Sequence, residues 1–270
     1  MKLSSPGFSS LDFSSKYTMR KNKFYLQLIK NPYFRSFIPW IVPITIIIVW
    51  QFLSSIGVIP IRILPAPLAV VSAAIKLAQT GELFRNIGIS AVRAISGFLV
   101  GGSIGFGLGL LNGVSPIAEK LLDTSLQMLR NIPNLALIPL VILWFGIGDE
   151  ARLFLVSLGV MFPIYLNTFH GIRSVDHGLI EMGKIYGLNT WGLFWRIILP
   201  GAMSSILVGV RFSLGIMWLT LIVAETIAAD SGIGYMATNA REFMQTDVVV
   251  LSILIYAMFG KLADVVARTL

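Results

Sequence analysis

The chain contains no cysteine, which excludes a disulfide framework, a thiolate metal site and a cysteine nucleophile. Histidine occurs only at His170 and His177, so a His-rich metal centre is excluded as well and no metal site is expected. Charge is scarce: Asp, Glu, Lys and Arg make up 13% of 270 residues, against about 25% in a soluble domain. Much of such a surface faces something other than water. No glycine-rich stretch is followed by the Lys-Ser or Lys-Thr pair of a nucleotide loop, so ATP hydrolysis is not expected here. Asp149, Glu150, Asp230 and Glu242 are acidic loop residues without a converging acid–base set. No catalytic residue is assigned and the chain is not read as an enzyme.

What is present is apolar sequence. Hydrophobic residues make up 56% of the chain, with mean hydropathy +0.81. Six runs near residues 37–56, 92–111, 131–145, 153–169, 206–228 and 248–266 approach the roughly 20 residues that cross a bilayer as helix. The expected fold class is therefore all-α, a polytopic transmembrane bundle of about six spans. Pro39 and Pro43 predict a kink near the start of the first run. An amphipathic stretch, 116–129, precedes the third. Between the first two runs, residues 68–77 read as an interfacial helix, with an apolar face from Ala69, Val70, Val71, Ala73, Ala74 and Ile75.

A net charge of +8 in so apolar a chain reads as cytoplasmic loops facing anionic lipid, not as nucleic-acid binding. With the amino terminus inside, thirteen Lys and Arg lie inside and five outside; Arg93, Arg130 and Arg211, in or beside runs, are left uncounted. Both termini are then cytoplasmic. Residues 1–35 are polar, Ser-rich and basic and read as a cytoplasmic segment, with the membrane domain at 36–270.

Three features inside the runs stand out. Gly97, Gly101, Gly105, Gly109 and Gly113 recur every four residues and share a helix face that lets another backbone approach closely. Arg211 and Glu225, fourteen residues apart in the fifth run, lie about 21 Å apart along a helix and do not pair with each other. Arg211 either faces the pathway, or pairs with Asp123 or caps a helix end near the loop; Glu225 is expected to shape the outer end through hydrogen bonds. Arg130, Asn131, Pro133 and Asn134 are either a break lining the pathway or a helix start capped by Asn131.

The loop between the fourth and fifth runs reads Glu181-Met182-Gly183-Lys184-Ile185-Tyr186-Gly187, nine residues, then Ile197-Ile198-Leu199-Pro200. Residues 175–186 predict a short helix with Asp176 at its start. Gly187 is its natural stop. Trp191, Leu193, Phe194 and Trp195 add an apolar face, either for docking a partner or for lying against the bundle itself. The pattern resembles the cytoplasmic loop of bacterial ABC importer permeases, E-A-A-x-x-x-G-x(9)-I-x-L-P, with Met182 and Gly183 where the family has Ala-Ala. Leu121–Ser125, 144–146, 162–165 and 224–248 are similar to the nitrate, sulfonate and taurine branch, most of all to aliphatic sulfonate permeases.

The resemblance implies a type I importer fold and an ATPase-coupling loop at 174–201 carrying Glu181, Met182, Gly183, Gly187, Ile197, Leu199 and Pro200. It implies two permease copies, cytoplasmic ABC ATPase subunits that bind the ATP and magnesium, and an extracytoplasmic solute-binding protein. Arg130, Asn131, Asn134, Arg211 and Glu225 are the candidate pathway residues, and no cofactor is expected in this chain.

Overall fold

The structure, a computed structural model, describes residues 32–269. Residues 1–31 of the expected amino-terminal segment, with six of the basic residues counted as cytoplasmic, lie outside the described residues. The chain divides into two compact units, Met1–Pro60 and Ile61–Leu270. In the first, α1 (Pro32–Ser55) runs through both Pro39 and Pro43 without ending. Its described apolar stretch, Pro39–Ser55, is short of the roughly 20 residues of a full crossing.

The second unit is built from α2 (Pro67–Gln79), α3 (Glu82–Val114), α4 (Pro116–Arg130), α5 (Ile138–Phe145), α6 (Asp149–Arg173), α7 (His177–Ile185), α8 (Thr190–Leu193), α9 (Leu199–Ala228), α10 (Ile233–Glu242) and α11 (Thr246–Thr269). Among the described residues, four helical stretches are long and apolar enough to cross a membrane: Glu82–Val114, Asp149–Arg173, Thr190–Ile227 and Thr246–Thr269. The apolar bundle expected from the sequence is all-helical as described.

The third run is not one straight span. Residues 131–133 interrupt it, a 3-10 turn follows at Asn134–Leu137, and α5 has only 8 residues. Pro116–Arg130 and Asn134–Phe145 count as one crossing only as a pair bent by 84°. Pro133 is the local cause, since it donates no backbone hydrogen bond and pushes the residue before it out of the helical region. Asn131 closes α4 at its carboxyl end, so the helix-start reading of Asn131 is wrong. The fifth run also starts earlier than 206. Helix continues from Thr190 to Ile227, through a wider π turn at Phe194–Ile198. That turn lies just ahead of Pro200, whose ring leaves no room for the carbonyl four residues before it.

The glycine face of α3 meets α6 along its length, running parallel to it. A Cβ on Gly97 would lie 2.6 Å from Val156, one on Gly109 2.6 Å from Thr168 and one on Gly113 2.9 Å from Ile172. At Gly101 and Gly105 it would collide with the backbones of Ser157 and Met161. The Ser157 hydroxyl donates to the Gly97 carbonyl at 3.2 Å across the seam. On its other side α6 meets α9 antiparallel, where Ser213 donates to Val160 O at 3.0 Å and Ser205 to Asn167 O at 2.8 Å.

The main core joins Val156, Val160 and Ile164 of α6 to Met217, Trp218 and Leu221 of α9 and Leu251 and Ile255 of α11. Trp218 stacks on Phe259 with ring centroids 4.6 Å apart. Helix α2 is present as expected, but its Val70 joins this core, so part of its apolar face meets protein.

Candidate functional site

The segment between α6 and α9 is built by local rules. Asp176 accepts a hydrogen bond from the Gly178 N–H at 2.8 Å and so caps the start of α7. At the other end the Gly187 N–H donates to Lys184 O at 3.0 Å and the Leu188 N–H to Gly183 O at 3.0 Å. This paired closure needs a left-handed residue at position 187, and Gly187 has φ 80. Asn189 then caps α8, accepting from the Gly192 N–H at 2.8 Å.

The side chains sort into two faces. Gly183 is buried, and Ile197, Leu193 and Leu188 fill the space where its side chain would stand. Ile198 and Leu199 join the cluster of Ile172, Val175 and Ala202 that seats this segment on α6 and α9. The opposite face is open: Ile185 is 84% exposed, Tyr186 80%, Trp191 69% and Met182 46%. Trp191 and Trp195 meet edge to face at 5.6 Å. Glu181 is exposed as well. A capped short helix and the turn after it thus present exposed apolar side chains, while its glycine face packs against Leu188, Leu193 and Ile197.

The candidate pathway residues occupy three separate places: Glu225, Arg211, and the α4–α5 break that carries Arg130, Asn131 and Asn134. Glu225 is buried in a network at the α3 start of the bundle. It accepts from the Ser90 hydroxyl at 2.8 Å, the Tyr256 hydroxyl at 2.9 Å, the Gly234 N–H at 3.0 Å and Arg93 Nη1 at 3.0 Å. Arg93 also donates to Ser231 O at 2.6 Å and pairs with Asp149 at 2.6 Å. Asn86 accepts from the Gly232 N–H at 3.0 Å. The turn between α9 and α10 is therefore tied to α3 by charge and backbone contacts together. Nearby Asp230 is exposed; its own backbone N–H and the Ser231 hydroxyl hold its carboxyl below the usual carboxylate range.

Arg211 lies near the middle of α9, exposed, and pairs with Asp264 of α11 at 3.2 Å. Lys261 and Arg268 share that carboxylate. The expected pairing of Arg211 with Asp123 is not made; Asp123 instead accepts from the Tyr165 hydroxyl at 2.8 Å. Arg130 and Asn131 are exposed at the α4–α5 break. Asn134 follows it and lies beside Gly159 of α6, which Thr220 of α9 also approaches.

Sequence reading missed the partners of Glu225. Arg93 lies in an apolar run, where a buried cation demands a counter-charge. Which acid answers it depends on helices 132 residues apart.

Residues 97–270 match the family described as binding-protein-dependent transport system inner membrane component. The chain is 61% identical over 232 residues to the putative aliphatic sulfonates transport permease protein SsuC of Escherichia coli (strain K12), covering 86% of this chain and 88% of that one. It is 44% identical over 230 residues to the protein so named in Bacillus subtilis (strain 168), covering 85% of this chain and 83% of the relative. Among solved structures, an amino acid ABC transporter crystallised with histidines aligns at TM-score 0.53 and 16% identity, over 73% of this chain and 98% of its own, a likeness of fold.

Proposed function

The chain belongs to the family of binding-protein-dependent transport system inner membrane components, and from that premise we propose that it forms the translocation pathway of an ATP-binding-cassette importer for aliphatic sulfonates. It is a multi-pass membrane protein and a transport permease subunit, not an enzyme. The observation that carries the solute class is the 61% identity to the Escherichia coli relative, which extends over 86% of this chain.

In this reading two copies of the chain line the pathway. Cytoplasmic ATPase subunits hold the ATP and magnesium, and this chain holds no cofactor. An extracytoplasmic binding protein delivers the solute. The exposed face of α7 and α8 is the ATPase contact, supported by Ile185 at the end of α7, Tyr186 after it and Trp191 of α8 standing open while Gly183 and Leu193 are packed. Gly183, Ile197, Leu199 and Pro200 are then the seat that carries movement of that helix into α9 as a rigid body. Segment 174–201 and both termini are cytoplasmic, an orientation supported by the excess of Lys and Arg on that side.

A strain lacking this chain, supplied with an alkanesulfonate as sole sulfur source, tests the reading. The expected result is loss of growth, restored by the gene and unaffected when sulfate is supplied. Undiminished growth of the deleted strain, with no second alkanesulfonate importer present, would overturn the solute assignment.

A further inference from the structure

The break between α4 and α5 stands at mid-depth in the bundle. Contacts along α6 place it in order. Glu119 pairs with Arg173 at the end of α6. Asp123 accepts from Tyr165, Asn134 meets Gly159, and Ile138 and Val141 cluster with Ala151 and Leu155 near the start of α6. Residues 131–133 therefore lie between the levels of Tyr165 and Gly159, near the middle of a spanning helix of 25 residues.

In hydrocarbon, non-helical backbone is tolerated only where protein covers it or water reaches it. Residues 131–133 are exposed on this chain, and so is Arg130 beside them. Among the described residues Arg130 has no carboxylate partner. The nearest preceding acid, Asp123, is taken by Tyr165 and Gln127. Asn131 adds an amide at the break. A Cβ on Gly159 would lie 3.2 Å from Asn134 Nδ2 and 2.9 Å from the Thr220 hydroxyl, so Asn134 and one hydroxyl of α9 stand at the same level. An unpaired guanidinium at this depth needs a water-filled path or an anion.

We propose that Arg130, with Asn131 and Asn134, forms an anion-binding site on the translocation path. The planar guanidinium holds sulfonate oxygens through paired charge-assisted hydrogen bonds. The proposal rests on the importer reading and extends it by naming where this chain touches the anion.

The test uses the full complex, permease with its ATPase and binding protein, in proteoliposomes with labelled alkanesulfonate. Wild type and Lys120→Gln, which removes a charge from the far end of α4, are the references. If wild type shows no ATP-dependent uptake, the importer reading fails whatever Arg130 does. Given wild-type uptake, Arg130→Gln is expected to lower it roughly tenfold or more, the scale of one lost charged hydrogen bond. Arg130→Lys, which keeps the charge and loses the fork, is expected to fall between Arg130→Gln and wild type. Wild-type uptake by Arg130→Gln overturns the site. So does failure of the Arg130→Gln permease to form the complex, which assigns Arg130 to the contact between copies instead.

Discussion

Arg93 and Glu225 form an ion pair inside the bundle, Nη1 to Oε1 at 3.0 Å, with side-chain exposures of 6% and 0%. Taking two charges out of water is costly, and the pair persists because their remaining hydrogen-bonding positions are filled by Ser90, Tyr256, Ser231 and the Gly234 backbone. The backbone comes this close because residue 234 has no side chain; a Cβ there would collide with Glu225.

Removing one partner strands the other charge in a buried site. Arg93→Met or Glu225→Leu alone is expected to destabilise the protein by about 3–5 kcal/mol, while the double substitution recovers part of that loss. Thermal unfolding of the detergent-solubilised permease measures it. A double variant as unstable as the sum of the singles would show that the two charges are not coupled.

The seam of α3 on α6 leaves no room for a methyl group. Gly101→Leu or Gly105→Leu is expected to remove assembled protein from the membrane, and Gly101→Ala to lower its amount, because the obstacle is the backbone of Ser157 or Met161, not a movable side chain. Gly107, on the same helix with nothing within 4 Å, is the control, and Gly107→Ala should accumulate normally. Equal amounts of all these variants by immunoblot would contradict the seam.

At Gly187 the constraint is of another kind. The space around it is empty within 4 Å, so a side chain meets no neighbour. The cost is that of a left-handed backbone, roughly 1–2 kcal/mol and more for a β-branched residue. Gly187→Val should insert normally yet retain less ATPase on co-purification and take up less solute, with Gly187→Asn between it and wild type. Glu181→Ala should act in the same direction more mildly. Full partner retention and uptake by Gly187→Val would remove the coupling role from α7.

The Arg211–Asp264 pair gives a contrast with the buried one. Its side chains are 48% and 33% exposed, and three cations share the carboxylate. Asp264→Asn should change stability by no more than about 1 kcal/mol. A loss as large as that of Glu225→Leu would mean this face of α9 is covered in the assembled complex.

The elements that depend on neighbours in sequence were legible without a structure. Apolar runs of span length, the four-residue spacing of the α3 glycines, the Asp176 cap and the Gly187 stop all follow from helix geometry and backbone preference, which act over a few residues. The α7 segment is such a case at its ends, which one stretch of chain reveals; the burial of Gly183 was not read there, and Leu193, read with the apolar face, is packed inside while Trp191 and Trp195 stand open.

Contacts between distant segments were not legible. Pro133 marked an interruption, yet both a helix start and a break satisfy its chemistry; only the end of α4 at Arg130 and the 84° bend distinguished them. Arg211 had an acid within reach by sequence reasoning, but the acid that meets it lies on α11, 53 residues away. Glu225 was read as a hydrogen-bonding group without its cation, because Arg93 reaches it only when α3 and α9 are packed side by side. Sequence by itself determined which residues must be paired, since an apolar medium makes unpaired charge expensive. Which partner each one found was decided by the tertiary structure, because pairing acts over a few ångströms and only packing brings those atoms together.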